Sequence, residues 1–179
     1  MPKKSKPAEN KILIALIILL MVTAMPPTIG SITGDGFSWN SFPAYFSAIK
    51  GGKAIANGDK TLIEGAIEFS GTKGAESADE MAKSLRTFQN EGVQIKKVKV
   101  NLLSCKQEDR IQQIIVSMIV KNGDDEYQIY CLGTVQSGKL MLIRFYDVWN
   151  TKDDEPLADT LTPEWIYELE SILCTYSPG

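Results

Sequence analysis

The side chains of this sequence that could do chemistry are few, because the chain contains no histidine. Nucleophilic triads, imidazole metal ligands and histidine proton relays are therefore excluded. What remains is a carboxylate near phenols: Asp147 follows Tyr146 in one apolar segment, and Tyr130 lies in the segment before it. Tyr130 and Asp147 are the candidate polar site. Side chains alternate along a strand, so at most one of Tyr146 and Asp147 faces inward.

The three cysteines, Cys105, Cys131 and Cys174, offer a second kind of chemistry. Cys105 and Cys131 fall on strands that are not neighbours in the predicted sheet, about 9.5 Å apart, which is too far for a bridge. Cys174 can pair with Cys131 or with Cys105, and the Cys131–Cys174 pair is our candidate disulfide. The alternatives are three buried apolar thiols or a redox-active thiol protein. No spacing matches a zinc or calcium site, so we expect neither a metal nor a cofactor.

The N-terminal part of the chain predicts export. Residues 1–11 are polar and basic, and residues 12–25 read ILIALIILLMVTAM, without a charge. These fourteen residues would span about 21 Å as a helix, against about 30 Å of hydrocarbon. They suit a signal peptide cleaved after Ala24. Alternatively, the uncharged residues 26–33 lengthen the segment into a single membrane span with a cytoplasmic N-terminus. Both alternatives place the domain outside the cytoplasm.

The rest of the chain predicts a tether over residues 26–38 and one α+β domain over residues 39–179. Apolar positions first recur at helical spacing and later alternate with period two. Asn122-Gly123 and Ser137-Gly138 are tight-turn signals that make the strands an antiparallel meander. The predicted elements are helices over 41–57, 60–69 and 78–90, strands over 95–104, 111–121, 126–135 and 140–149, and a last helix from Thr162-Pro163 to Cys174. The fold class is thus three N-terminal helices on a curved four-stranded antiparallel sheet, plus a C-terminal helix.

Three features of the predicted order of helices and strands form a pattern: the turn Ala56-Asn57-Gly58-Asp59, a short apolar helix ending at Phe69, and an aromatic-rich strand end over Phe145–Trp149. With them, residues 40–150 resemble the nuclear-transport-factor-2-like and cystatin-like superfamily, and in particular small secreted bacterial members. The resemblance implies a cone with a pocket between helices and sheet. Some members are enzymes of the ketosteroid-isomerase and dehydratase kind, and many are binding or scaffold modules. The acidic loop over 150–161 departs from the pattern.

Charge and composition favour a binding role. The net charge is −3, and without the first 24 residues 15 basic side chains face 21 acidic ones, so nucleic acid is not an expected partner. The first hypothesis is a non-enzymatic extracytoplasmic binding or assembly module, with the membrane and an envelope protein as partners and no catalytic residue. The alternative is a small-molecule binder or isomerase-like enzyme using the cone. A solvent-reachable cavity lined by Tyr130 or Asp147 favours the alternative, and an interior filled by Met118, Leu142 and Phe145 favours the first hypothesis.

Overall fold

The fold is α+β, with helices before and after an antiparallel sheet. A computed structural model of the chain describes residues 12, 14–23, 39, 41–69, 75–108, 111–152 and 155–174. The helices are α1 (Ser41–Asn57), α2 (Lys60–Ala66), α3 (Ala78–Asn90) and α4 (Glu164–Leu173). The strands are β1 (Val93–Val100), β2 (Lys106–Glu108), β3 (Ile111–Asn122), β4 (Asp125–Gln136), β5 (Lys139–Asn150) and β6 (Glu155–Pro156).

The four long strands form the predicted antiparallel meander. Their order is β1-β3-β4-β5, with the short strand β6 beyond β5 and β2 paired to β3. Ser137 and Gly138 both have positive φ, at 52° and 77°, as a two-residue hairpin turn with the twist of its strands requires. The two short strands were not predicted, because two or three residues are too few to show an alternating pattern.

The first strand ends earlier than predicted. The alternation suggested residues 95–104, but β1 stops at Val100 and a 3₁₀ turn occupies Leu102–Ser104. The Ser104 hydroxyl accepts the Ile115 N–H at 2.9 Å, so a side chain takes the place of a ladder bond there. Alternating residue types cannot distinguish such a turn from a continuing strand.

Helices α1, α2 and α3 contribute to the core over one face of the sheet. On β3, alternate side chains are fully buried, and the residues between them are half-buried. This alternation is that of a sheet with one covered face. The buried side chains of the sheet include Ile114, Val116, Met118, Val120, Ile129 and Cys131, and those of the helices include Ala48, Ile55, Ile63 and Leu85.

Helix α1 continues through Gly51 and Gly52, although glycine is a poor helix former. A Cβ added at Gly51 would stand 2.6 Å from the Cβ of Leu140, and one at Gly52 would stand 2.5 Å from Cγ1 of Val98. These glycines let the helix lie close to β5 and β1. The gain from close packing offsets the helix propensity that glycine lacks.

The helix ends follow the predicted caps in part. The Asp59 carboxylate accepts the Leu62 N–H at 3.0 Å, and the Ser77 hydroxyl accepts the Glu80 N–H at 3.3 Å. Helix α2 ends at Ala66 and not at Phe69 as predicted, because the next residue, Ile67, pairs with the backbone of β5. Thr162 does not cap α4. Its hydroxyl donates to the Ala158 carbonyl at 3.3 Å instead.

Residues 14–23 form a separate apolar helical segment. Its large side chains are between 46% (Ile17) and 70% (Leu20) exposed, and the Trp39 indole N–H donates to the Thr23 carbonyl at 2.8 Å. None of the helices in the described ranges is both long and apolar enough to cross a bilayer. Three predicted features lie outside the described residues: the basic region 1–11, the cleavage position after Ala24 and the tether over 26–38.

Candidate functional site

A cavity of about 240 Å³ opens to solvent between strand β5 and helix α4. Strand β5 forms one wall. After β5 the chain turns back along it, where Pro156 pairs with Trp149 and the Leu157 N–H donates to the Val148 carbonyl at 2.7 Å. Helix α4 forms the opposite wall. The lining residues are Phe145, Tyr146, Asp147, Val148, Leu157, Thr162, Ile166, Tyr167 and Glu170.

Glu170 is a buried carboxylate in the wall that α4 supplies. It is only 5% exposed and lies on the helix face that also buries Ile166, Leu169 and Leu173. Its Oε1 accepts the backbone N–H of Phe145 at 2.7 Å. The carboxylate therefore gives this backbone donor of β5 a hydrogen-bond partner. Charged side chains are almost never this buried without such a partner.

The position of Glu170 changes its acidity. Burial raises the pKa of this carboxyl above its usual range, while the bond from the Phe145 N–H and the charge of Arg144 act in the opposite direction. Desolvation is the largest of these effects, since removing water disfavours the charged form. The Glu170 carboxyl therefore keeps its proton to higher pH than a solvated glutamate. It can serve as a hydrogen-bond donor when protonated and as a counter-ion when ionised.

Asp147 also belongs to the lining of this cavity, on the β5 wall. The Trp149 indole N–H donates to its Oδ2 at 2.6 Å, which holds the carboxylate against the strand. The register of β4 and β5 shifts here: Tyr130 faces Asp147, and Cys131 faces Phe145, so Tyr146 is one residue extra. Four successive residues of β5, Phe145 to Val148, all belong to the lining, so the lining does not follow simple alternation.

Tyr130 lies directly across the sheet from Asp147. It is not among the residues that line the cavity. Its hydroxyl accepts a hydrogen bond from the Gln128 side chain at 2.7 Å, and its ring centroid lies 6.0 Å from that of Tyr146. The structure therefore brings the two predicted site residues together but places only Asp147 in the cavity wall.

Buried side chains occupy the contact between the first three helices and the middle of the sheet. Met118 and Leu140 are 0% exposed and Leu142 is 2% exposed, and Phe145 is partly buried against the same core. Another cavity, of about 380 Å³, lies at one end of this contact, between α1, the start of β3 and the end of β4, and neither Tyr130 nor Asp147 lines it. Of the residues that distinguish our hypotheses, Met118, Leu142 and Phe145 pack in the core, and Asp147 belongs to the lining of the cavity under α4.

The cysteines are buried and free in the structure. The Sγ atoms of Cys131 and Cys174 lie 3.8 Å apart, at the contact between β4 and the end of α4. Burial raises the pKa of Cys105 to about 11, and burial together with Cys131 raises that of Cys174 well above its usual value. Within the described ranges, no group of three or more Cys, Asp or Glu side chains is placed to hold a metal ion.

Sequence reasoning missed Glu170, although its position carried a signal. Glu170 follows Ile166 by four residues and precedes Leu173 by three, so it occupies the apolar stripe of α4. A charged residue within such a stripe is either buried with a partner or at an opening in the core. The partner could not be foreseen, because it is a backbone N–H of another element, which leaves no mark in the sequence of α4.

Comparisons with known proteins found a loose similarity of fold and no similarity of sequence. No family model matches the chain, and no curated protein matches its sequence. One solved structure that resembles it is an LEH-like epoxide hydrolase of M. tuberculosis. The two share 15% identity with a TM-score of 0.42, over 63% of this chain and 86% of that one. A likeness this loose carries no conclusion about activity, and membership of the nuclear-transport-factor-2-like superfamily stays a prediction.

Proposed function

We propose that this protein is an exported, non-enzymatic binding module that takes a small apolar amine into the cavity under α4. The observation that carries the proposal is Glu170, a buried carboxylate in the wall of a solvent-reachable cavity. Natural ligand sites combine apolar walls with a few polar groups that fix orientation. This cavity has that composition, and its volume is slightly below the usual range of roughly 300–1,000 Å³.

The charges of the lining select the class of ligand. Glu170 supplies a buried carboxylate, Asp147 is a second acidic residue of the lining, and no lysine or arginine is among the described residues of the lining. Phe145, Val148 and Ile166 supply apolar walls. An ammonium group on a short hydrocarbon body complements both features, because it forms a charge-assisted hydrogen bond with a carboxylate and buries its apolar part. Anionic ligands would meet like charge.

The N-terminal segment supports export. Its described side chains are apolar and largely exposed, so burial in the domain core does not account for them. An apolar run of this kind after a lysine-rich start is typical of a segment handled by the export machinery. N-terminal sequencing with cell fractionation tests this part. A mature start at Met25 outside the cytoplasm supports export with cleavage, and an intact chain in the cytosolic fraction refutes export.

Benzylamine and benzyl alcohol are matched probes for the ligand site, because they differ only in the group that Glu170 would contact. We expect benzylamine to bind about tenfold more tightly by titration calorimetry or by NMR shifts of α4. Glu170→Gln should abolish this preference. Glu168→Gln is the control, since it removes the same charge from an exposed position on the same helix. Equal affinity for both probes, or equal effects of both variants, would refute the proposal.

One observation favours a second function, an isomerase-like enzyme. Glu170 and Asp147 both belong to the cavity lining, and a carboxyl whose pKa is raised by burial, as that of Glu170 is, can act as a general acid. Such an enzyme would exchange an acidic C–H next to a carbonyl with solvent deuterium. We expect no such exchange above the level of the Glu170→Gln variant, and wild-type exchange well above it would favour the enzyme.

A further inference from the structure

The cysteine pair at the end of α4 is built into the wall that carries Glu170. The Cys131 and Cys174 Sγ atoms are 3.8 Å apart, and the residues are 0% and 1% exposed. Cys131 lies on the core-facing side of β4, and Cys174 is the residue that ends α4. A disulfide has a sulfur–sulfur bond of about 2.05 Å, so the two atoms must approach by a further ~1.8 Å.

Helix α4 is attached to the sheet in a way that permits this approach. Cys174 ends the helix by donating its N–H to the Glu170 carbonyl at 2.8 Å, and its backbone makes one isolated bridge to Leu142. The rest of the attachment is side-chain packing and the bond from the Phe145 N–H to Glu170. A small movement of the helix end toward β4 breaks no strand ladder.

We propose that Cys131 and Cys174 form a disulfide that locks α4 onto the sheet and so fixes the Glu170 wall of the cavity. Formation of the disulfide requires an oxidising compartment, and this requirement rests on the export proposed above, since disulfides form and persist outside the cytoplasm. The bond itself depends only on the positions of the two sulfurs. Glu170 precedes Cys174 by four residues, one helical turn, so a fixed helix end also fixes the carboxylate.

The oxidant is a protein or small-molecule disulfide, and the reaction is thiol–disulfide exchange during folding, before the two thiols are buried. The Cys174 thiolate attacks the donor disulfide, forms a mixed disulfide and releases one donor thiolate. The Cys131 thiolate then attacks the Cys174 sulfur and releases the second. The two protons lost by the cysteines end on the two donor sulfurs, and the donor is reduced by two electrons.

Cys105 provides an internal control. It lies between the 3₁₀ turn and β2, where its carbonyl accepts the Ser41 hydroxyl at 3.5 Å. It is buried like the other two cysteines, at 1% exposure, so burial alone does not distinguish them. The proposal therefore makes a selective claim: Cys131 and Cys174 pair, and Cys105 stays a thiol.

The test is refolding of the reduced, full-length chain in a buffer of oxidised and reduced glutathione, with detergent for the apolar segment. Free thiols are then alkylated under denaturing conditions and counted by mass spectrometry. We expect one alkylated cysteine, Cys105, and a crosslinked peptide pair that contains Cys131 and Cys174. Cys105→Ala should keep the crosslink with no alkylation. Three alkylated thiols, glutathione adducts, or a bridge that includes Cys105 would overturn the proposal.

Hydrogen–deuterium exchange tests the locking effect without any ligand, so it is independent of the proposed binding function. In the oxidised protein, amides of α4 should exchange at least tenfold more slowly than in the reduced protein, and those of α3 should not change. Reduction should also lower Tm by about 10 °C. A crosslinked protein whose α4 exchanges as fast as in the reduced form would contradict the lock.

Discussion

The Glu170 carboxylate, on the last helix, accepts the backbone N–H of Phe145, on strand β5, at 2.7 Å. This bond joins the two walls of the cavity. It also explains how a carboxylate comes to lie in an apolar helix stripe, since the Phe145 N–H gives the buried carboxylate a hydrogen-bond donor. The stability of α4 on the sheet and the chemistry of the cavity therefore depend on the same side chain.

Replacing Glu170 separates its hydrogen bond from its charge. Glu170→Gln keeps an acceptor for the Phe145 N–H, whereas Glu170→Leu removes it and leaves a backbone donor without its partner. We expect the free energy of unfolding of Glu170→Leu to fall about 1–3 kcal/mol below that of Glu170→Gln. Urea denaturation measures the difference. Glu168→Leu, at an exposed position of the same helix, should change the free energy of unfolding of the wild type by less than about 0.5 kcal/mol. Equal stability of the two Glu170 variants would contradict the assigned bond.

The raised pKa of Glu170 predicts how stability depends on pH. Between its ordinary value of 4.5 and the higher folded value, the folded protein binds a proton that the unfolded chain has released. The free energy of unfolding therefore falls as pH rises through this window. Glu170→Gln cannot titrate, so the stability of wild type relative to this variant should decline from pH 4 upward and then level off. A difference that rises with pH would mean that the folded carboxyl is the stronger acid.

Gly52 and Gly65 lie in the first two helices, Gly52 in close contact with the sheet and Gly65 with space for a Cβ, so replacement by alanine should change stability in opposite directions. Gly52→Ala places a Cβ 2.5 Å from Cγ1 of Val98 and should destabilise the domain by about 1–3 kcal/mol. Gly65→Ala is the matched control: the heavy atom nearest to its Cβ would be Lys50 Nζ at 3.9 Å, so it should stabilise helix α2 by up to about 1 kcal/mol. Thermal unfolding of both variants tests this. Destabilisation of equal size would show that close packing at Gly52 is not the cause.

Burial predicts that Cys105 is unreactive in the reduced, folded protein. With a pKa of about 11, only about one thiol in a thousand is ionised at pH 8, and the sulfur is also inaccessible. Alkylation by iodoacetamide at pH 8 should be at least 100-fold slower than in the urea-unfolded chain. The Cys131→Ala, Cys174→Ala double variant isolates this thiol for the measurement. Fast alkylation of the folded form would show that this region opens.

The sequence was sufficient for the elements whose signals are local. The Asn122-Gly123 and Ser137-Gly138 turns and the change from helical to alternating spacing predicted the meander and most of the helix bounds. The sequence was insufficient where one element alters another. Helix α2 ends where Ile67 pairs with β5, and Tyr146 is an extra residue in the register of β4 and β5. Glu170 was not found because its partner is a backbone N–H of another element.

The most direct test of the ligand site is the pKa of Glu170 itself, measured from the pH dependence of its ¹³Cδ NMR shift with and without saturating benzylamine. A bound ammonium gives the ionised carboxylate a partner and so favours its charged form. We predict a pKa above 4.5 in the free protein that falls by at least one unit when the amine is bound. A value at or below 4.5 in the free protein, or no change on saturation, would contradict the account.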